Sequence, residues 1–239
     1  MKPAFNNRLL RLAATRYRAA GRFAYDFARG KLAGDPVFTG LLKHGLVPDN
    51  ARILDIGCGQ GLLASWLHAA HTLHAAGDWP GQWPVAPKPR SVYGIELMPR
   101  DVARARAALH DVRDKVMFTE GDMCTTDFDK ADVVVILDVL HYVNMAAQDD
   151  VLRRVRDALA PRGTLLLRVG DANAGLPFKV SQWVDHVVIF VRSHRHVRLY
   201  CRPLSAWKSA LSELGFEVTP MPMHQGTPFA NVLLVAKLR

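Results

Sequence analysis

Apolar residues along this chain fall alternately into short continuous runs and into stretches with helical spacing. Five of the runs are short enough to be buried strands, and they begin at Ile53, Ser91, Lys115, Asp132 and Thr164. Between them, apolar residues recur every three or four positions, as in helices that cover a sheet. This alternation predicts an α/β protein with a mostly parallel sheet.

The carboxyl-terminal part departs from that alternation. Two further runs, Glu213–Val218 and Asn231–Lys237, follow one another without a helical pattern between them. Two strands joined without a helix favour an antiparallel finish. The sequence therefore predicts a Rossmann-like, doubly wound sheet of seven strands, mostly parallel, with an antiparallel carboxyl-terminal strand.

The amino-terminal segment has a two-sided helical pattern from Phe5 to about Arg29, with a possible break at Gly21. One side is apolar and the other is basic. The apolar side predicts a helix that packs on the domain, while a lid or a helix on a membrane surface is about equally compatible with the pattern. We expect an N-terminal helical cap over residues 1–48 and the main domain over residues 49–239. The apolar side is formed by Leu9, Ala13, Tyr17, Ala20, Ala24 and Ala28.

The segment from Arg52 to Leu63 contains the candidate ligand site. A short apolar run stops at Gly57, glycines recur at positions 59 and 61, and helical spacing follows. Glycine lets a ligand approach bare backbone, and the amides at the start of a helix can face it. A dinucleotide site would place its third glycine one residue later, and the carboxylate of Asp55 before the turn suits an ammonium group better than a pyrophosphate.

These residues carry a resemblance. Asp55-Ile-Gly57-Cys58-Gly59-Gln-Gly61 is similar to the D-x-G-x-G-x-G motif of class I S-adenosylmethionine (SAM)-dependent methyltransferases. The resemblance implies SAM as cofactor, with Asp55 and the glycine turn holding its methionine end. Cys58 is expected to be a small filler residue of the turn.

Later segments fit the same resemblance in order. Glu96 ends the second strand, where a carboxylate can accept hydrogen bonds from both ribose hydroxyls of SAM or NAD. In the family, an acid after the third strand faces the adenine amino group and the next residue packs on the ring, which fits Asp122 and Met123. The other candidate cofactor contacts are Leu97, Met98 and Asp138, with Tyr25 and Lys31 from the cap.

Methyl transfer to a hydroxyl group is helped by a base near the methyl group. His141 is the first candidate, because it follows the fourth strand, where the sheet order should reverse, and because imidazole titrates near neutrality. A histidine that merely forms a hydrogen bond at this point is an equal alternative. Tyr142 and His194 are the other catalytic candidates, and no metal site is expected.

Two long insertions, residues 71–90 and 170–203, should shape a pocket. The first contains Trp79 and Trp83, for which contact with substrate or a partner chain is favoured slightly over a place in the core. The second, together with Tyr25–Phe38, resembles methyltransferases of bacterial aryl-polyene (xanthomonadin-type) pigment clusters. That resemblance implies a phenolic or carrier-bound aromatic acid as substrate in natural-product biosynthesis.

Charge and composition leave other functions open. The net charge is +9, and eight basic residues against one acid lie between Lys2 and Lys31. Such a patch fits RNA, an anionic membrane surface, an acidic carrier protein or simply a solvated face without a partner. An RNA or protein methyltransferase is disfavoured because no N/D-P-P-Y/F motif follows the fourth strand; nucleic acid is therefore not the expected partner. A non-catalytic SAM-binding partner and a homodimer remain alternatives. Three cysteines without metal-ligand spacing, no 18-residue apolar run and no signal-like start predict a cytoplasmic protein, peripheral at the inner membrane at most.

Overall fold

The computed structural model describes residues 3–170, 199–223 and 231–239. The helices are α1 (Pro3–Thr15), α2 (Arg22–Gly34), α3 (Pro36–Lys43), α4 (Leu62–Ala75), α5 (Pro99–Ala108), α6 (Met145–Ala158) and α7 (Leu204–Glu213). The strands are β1 (Arg52–Ile56), β2 (Ser91–Glu96), β3 (Val116–Glu120), β4 (Ala131–Leu137), β5 (Leu159–Gly170), β6 (Phe216–Pro222) and β7 (Asn231–Leu238). Short 3-10 helices cover Arg16–Ala20, His110–Val112 and Leu140–Tyr142.

The strands form one seven-stranded sheet in the order β3-β2-β1-β4-β5-β7-β6. Neighbours from β3 to β5 are parallel, and β7 runs antiparallel to both β5 and β6. The predicted doubly wound sheet with one antiparallel strand is therefore confirmed. The order reverses between β1 and β4, which is the place where open α/β sheets bind ligands.

The two faces of the sheet bury different sets of helices. Alternate residues of a strand point to opposite faces, and Ile53 accordingly packs with α1 to α5 while Leu54 packs with α6 and α7. The same rule places Asp55 on the face that carries the N-terminal helices. Arg168 of β5 has the parity of Leu166, which belongs to that face as well.

The apolar stripe of the N-terminal segment faces the domain. Leu9, Ala13, Tyr17, Ala24 and Ala28 have no exposed surface. The helical pattern is interrupted where expected, because Gly21 adopts a φ of +98° between the 3-10 turn and α2. Among the helices that the structure describes, none has both the length and the hydrophobicity that crossing a bilayer requires.

The 71–90 insertion differs from expectation. Helix α4 continues to Ala75, and the two tryptophans pack on Phe5 of α1 with both pairs of ring centroids 5.5 Å apart and nearly perpendicular. Trp79 also donates its indole N–H to the carbonyl of Pro84 at 2.8 Å. The preference for substrate or partner contact by Trp79 and Trp83 was therefore wrong: they attach the insertion to α1.

Smaller differences lie at element boundaries. The sixth strand begins at Phe216 instead of Glu213, because α7 ends at Glu213 and Gly215 turns the chain with a φ of +88°. Most of the 170–203 insertion lies outside the described residues.

Tyr17 allows a test of how firmly the N-terminal helices hold the glycine turn. Its hydroxyl donates to the carbonyl oxygen of Gln60 at 2.9 Å, and both residues are buried. We expect Tyr17→Phe to lower the free energy of unfolding by about 1–3 kcal/mol, since the buried carbonyl loses its donor without a change of shape. Urea unfolding measures this; a variant as stable as the wild type would show that the contact contributes nothing.

Candidate functional site

The carboxyl ends of β1 to β4 meet around the glycine turn. The amides of Gly57 and Cys58 both donate to the carbonyl oxygen of Ile95, at 2.8 and 3.1 Å. The amide of Gly121, just after β3, donates to the backbone carbonyl of Glu96 at 3.0 Å. Val139, two residues after the end of β4, packs directly on Gly57. Four strand ends are thus joined into one surface.

Two positions of the turn require glycine for different reasons. Gly57 has a φ of +73°, and a Cβ there would lie 2.6 Å from Cγ1 of Val139. Gly59 has a φ of +55°, but a Cβ there would meet no atom within 4 Å. Gly57 is therefore constrained by both packing and backbone conformation. Gly59 is constrained by backbone conformation alone, and its bare backbone lies beside open space. Such a surface fits close approach by a ligand.

The carboxylate of Glu96 is fixed by two backbone amides. One oxygen accepts from the amide of Gly59 at 2.8 Å, and the other accepts from the amide of Met98 at 2.9 Å. Each carboxylate oxygen has a second lone pair, so this geometry still leaves Glu96 able to accept hydrogen bonds from a diol. The contact also ties β2 to the glycine turn.

Asp55 lies under the turn and is 4% exposed. Burial raises the pKa of this carboxyl to about 7, and the charge of Glu96 acts in the same direction. Within the described part of the chain, no basic side chain forms an ion pair with Asp55. Two carboxylates at one strand edge without a cation between them make a site that favours a positively charged ligand.

The remaining predicted contacts of this group lie around the same edge. Burial raises the pKa of the Cys58 thiol, with Asp55 adding to the effect, which agrees with a filler residue. Leu97 and Met98 are among the few large apolar side chains that are exposed, at 61% and 36%. Asp122 turns the chain after β3 by accepting from the amide of Cys124 at 2.8 Å, and Met123 follows it, half-buried.

Three other predicted cofactor contacts have their side chains engaged elsewhere. The carboxylate of Asp138 is held by Arg168, and Nζ of Lys31 lies 2.7 Å from Asp35. Tyr25 lies under the guanidinium of Arg18, 5.2 Å from its ring centroid. For Asp138 the expected contact with the cofactor is through the main chain, which its ion pair with Arg168 does not involve. For Lys31 and Tyr25, contact with the cofactor stays a prediction.

The catalytic candidates lie beyond β4. His141 is half-buried in the 3-10 turn, with its ring 4.2 Å from that of Tyr142, and its carbonyl accepts from the amide of Tyr200 at 2.8 Å. Burial lowers the pKa of His141, while Asp138 acts in the opposite direction. A neutral imidazole at pH 7 can accept a proton. His194 lies outside the described residues.

Sequence reasoning missed two buried polar residues beside the site. Arg168 interrupts the apolar strand L-L-L-R-V, and a cation in such a run signals a buried ion pair. Gln148 lies on α6 and has no exposed surface, and its amide donates to three backbone carbonyls. Its polarity on the apolar side of a helix was the available signal.

The fold and this site define the chain as a class I SAM-dependent methyltransferase domain. A family model described as "Methyltransferase domain" matches residues 25–220, and the chain belongs to that family. The resemblance inferred from the glycine motif is confirmed at this level, together with the cofactor that the family uses.

Similar proteins include two curated relatives. The chain is 26% identical over 147 residues to the tetracenomycin polyketide synthesis 8-O-methyl transferase TcmO of Streptomyces glaucescens, covering 59% of this chain and 39% of that one. It is 29% identical over 149 residues to the carboxy-S-adenosyl-L-methionine synthase of Chromohalobacter salexigens, covering 59% of this chain and 49% of that one. The match thus spans less than half of either relative.

A solved structure supports the fold. Magnesium protoporphyrin IX methyltransferase (ChlM) from Synechocystis PCC 6803, determined with bound SAH, superposes with a TM-score of 0.58 at 19% identity and full coverage of both chains. At this level of identity the likeness concerns the fold.

A matched pair of glycine variants separates packing from ligand access. Gly57→Ala and Gly59→Ala both force alanine into a left-handed conformation, which costs about 1–2 kcal/mol. We expect Gly57→Ala to lose more unfolding free energy, because of the added contact with Val139. We expect Gly59→Ala to have the larger ratio of lost SAH binding free energy to lost unfolding free energy. Urea unfolding and calorimetry measure the two; equal ratios would contradict a ligand surface at Gly59.

Asp55 predicts a pH dependence with a definite sign. A carboxyl with a raised pKa binds its proton more tightly in the folded chain, so its contribution to stability falls as the pH rises from about 4 to about 7. We expect Asp55→Asn to be more stable than the ligand-free wild type at pH 8, yet to bind SAH at least about tenfold more weakly because the charge is lost.

Asp132→Asn is the matched control for that variant. Hydrogen bonding from Arg52 lowers the pKa of Asp132, so this carboxylate stabilises the protein above its unfolded pKa and loses that effect as the pH falls. Its amide variant should be destabilised at pH 8 and bind SAH normally. Denaturant midpoints at pH 5 and pH 8 decide the matter, and the idea fails if both variants shift in the same direction.

Proposed function

We propose that this chain binds SAM at the glycine turn and transfers its methyl group to a small-molecule acceptor. The pair of carboxylates, Asp55 and Glu96, carries the proposal. They lie near the carboxyl ends of the neighbouring strands β1 and β2, Asp55 is buried, two backbone amides hold Glu96, and the ligand that the pair favours is cationic. SAM has an ammonium group, a sulfonium centre and a ribose diol, which match these two side chains.

Each part of the cofactor has a candidate contact on the described residues. Asp55 would attract the ammonium group from beneath the turn, and Glu96 would accept hydrogen bonds from the ribose hydroxyls. The bare backbone at Gly59 would allow close approach of the ligand. Asp122 and Met123 would receive the adenine. The bound adenosine would cover the exposed apolar surface of Leu97 and Met98. All these proposed contacts are supported by the convergence of the strand ends at one place.

The protein's tasks in methyl transfer are positioning, exclusion of water and removal of a proton. SAM supplies a methyl group on a cationic sulfur, from which displacement needs no further activation. His141 is the proposed base, because its lowered pKa keeps the imidazole neutral at pH 7. Tyr142 would border the acceptor beside it. The candidacy of His194 as a catalytic residue rests on its position in the sequence alone.

For the acceptor, we propose a phenolic hydroxyl of an aromatic or carrier-bound acid in natural-product biosynthesis. Two arguments support it: the resemblance to aryl-polyene cluster methyltransferases, and the relative TcmO, whose name describes an 8-O-methyl transferase of polyketide synthesis. A cytoplasmic location, an acidic carrier protein or anionic membrane surface as partner, and a homodimer belong to the same proposal.

The basic face favours RNA less than its charge suggests. Arg8 forms an ion pair with Asp78 and Arg16 with Asp111, each at 2.5 Å. These arginines connect the N-terminal helices to the rest of the domain. Methylation of RNA or protein remains the second candidate, and salt-dependent binding of RNA would support it.

Calorimetric titration of the purified protein with SAM, SAH and NAD tests the cofactor. We expect binding of SAM and SAH in the micromolar range, about −8 kcal/mol, and no heat with NAD. The Asp132→Asn variant should give the same result as the wild type with each compound, which means binding of SAM and SAH and no heat with NAD. Binding of NAD alone, or of none of the three, would overturn the proposal.

Replacement of His141 tests its role as the base. With a phenolic acceptor identified by screening, we expect His141→Gln to reduce kcat by about 10²–10⁴ while SAH affinity stays within twofold. Wild-type activity should persist as the pH falls to the ordinary histidine range near 6.5 and decline below it, because burial lowers the pKa of His141.

The matched control is His110→Gln, an exposed histidine on the turn after α5. It should leave kcat and the pH profile unchanged. An unaltered kcat in His141→Gln would exclude this residue as the base and leave the hydrogen-bonding interpretation.

A further inference from the structure

Arg168 is a buried cation that forms two ion pairs. Its side chain is 1% exposed and lies between two carboxylates. Nε donates to Asp138 at 2.9 Å and Nη2 donates to Asp35 at 2.7 Å, and further short contacts join Nη1 to Asp35 and Nη2 to Asp138. A planar guanidinium can serve two carboxylates in this forked manner, whereas an ammonium group cannot.

The two carboxylates belong to different parts of the protein. Asp35 separates α2 from α3: it accepts from the amide of Val37 at 3.1 Å as the helix cap and pairs with Lys31 of α2. Asp138 follows β4 directly with a φ of +59°, and the next residue, Val139, is the one that packs on Gly57 of the glycine turn. Arg168 therefore links the N-terminal helices to the chain that leaves β4.

That chain, residues 138–143, is held at its other end by Gln148. The amide of Gln148 donates to the carbonyls of Leu140 and Val143 at 3.1 and 3.0 Å, and to that of Tyr200 at 2.8 Å. Between these two attachments lies His141. The β4 loop, as we call residues 138–143, thus has one buried anchor on each side of the candidate base.

The charges of this arrangement alternate and cancel. Lys31, Asp35, Arg168 and Asp138 form a continuous chain of ion pairs, and attraction to Arg168 and Lys31 lowers the pKa of Asp35 against the effect of its burial. Buried ion pairs add little net stability compared with apolar packing, but removing one partner is costly. An apolar residue at position 168 would be compatible with a buried strand. The ion pairs of Arg168 are therefore better explained by their effect on geometry, because they fix the β4 loop relative to the N-terminal helices.

We propose that Arg168 is a positioning residue that makes the place of the β4 loop depend on Asp35 of the N-terminal helices. The ion pairs of Arg168 thereby make the packing of Val139 on Gly57 and the orientation of His141 depend on the N-terminal helices. The inference deepens the proposed function, on which it rests for the role of the loop in methyl transfer. The coupling itself exists in the ligand-free protein.

Hydrogen exchange of the ligand-free protein tests the coupling directly. Asp35→Asn removes one charge but keeps the helix cap, because asparagine caps as well as aspartate. We expect the amides of the β4 loop to exchange at least about tenfold faster in this variant, by local opening. Asp132→Asn removes the equivalent charge from the Arg52–Asp132 pair between β1 and β4, 2.8 Å long and at the opposite end of the strands, and should leave the loop amides unchanged.

A second pair of variants removes the cations. Arg168→Met should accelerate exchange in the β4 loop and weaken SAH binding at least about tenfold, since the displaced loop no longer supports the glycine turn. Arg52→Met should lower the unfolding midpoint without either effect. Arg168→Lys keeps the charge but loses the planar fork, so its effects should lie between those of the wild type and Arg168→Met.

The outcomes separate the two proposals. Faster loop exchange in Asp35→Asn but not in Asp132→Asn supports the coupling. Equal exchange in these two variants overturns it, even where Arg168→Met fails to fold. Failure of the wild type to bind SAH would instead overturn the proposed function, because the exchange measurement needs no ligand.

Discussion

The burial of the Asp55 carboxylate beside Glu96 is the physical constraint on which the rest of the site depends. An acid at this depth is costly unless it is protonated or paired with a cation, and no basic residue of the described chain forms that pair. Hydrogen bonds fix the elements around it. An amide of the glycine turn donates to Glu96, and Tyr17 of the N-terminal segment donates to the carbonyl of Gln60 in the turn. A cationic ligand completes the electrostatics that the fold leaves unbalanced.

The sheet and the location of the site could be predicted from the sequence because they rest on local patterns. Continuous apolar runs predict buried parallel strands, and the missing helix before the last run predicts the antiparallel finish. Asp55 and Glu96 were predicted as site residues because each lies at or next to the end of a strand in a recognisable motif. The carboxyl ends of parallel strands meet at one edge, so both residues had to be neighbours.

What the sequence did not reveal depends on contacts between distant segments. Trp79 and Trp83 look like a binding surface until Phe5, more than 70 positions earlier, is seen to pack on them. The carboxylate of Asp138 follows β4, and its partner, Arg168, comes from the adjacent strand 30 positions later. In both cases the pattern indicated that a residue needed a partner and gave no information about which one.

The most direct test of the central claim is a crystal structure of the protein with SAH. We expect the amino group of the ligand at the glycine turn above Asp55, and both ribose hydroxyls within hydrogen-bond distance, about 2.7 Å, of the Glu96 carboxylate. SAH at any other place, or in the turn with its ribose away from Glu96, would contradict the assignment of these two carboxylates as the determinants of the site.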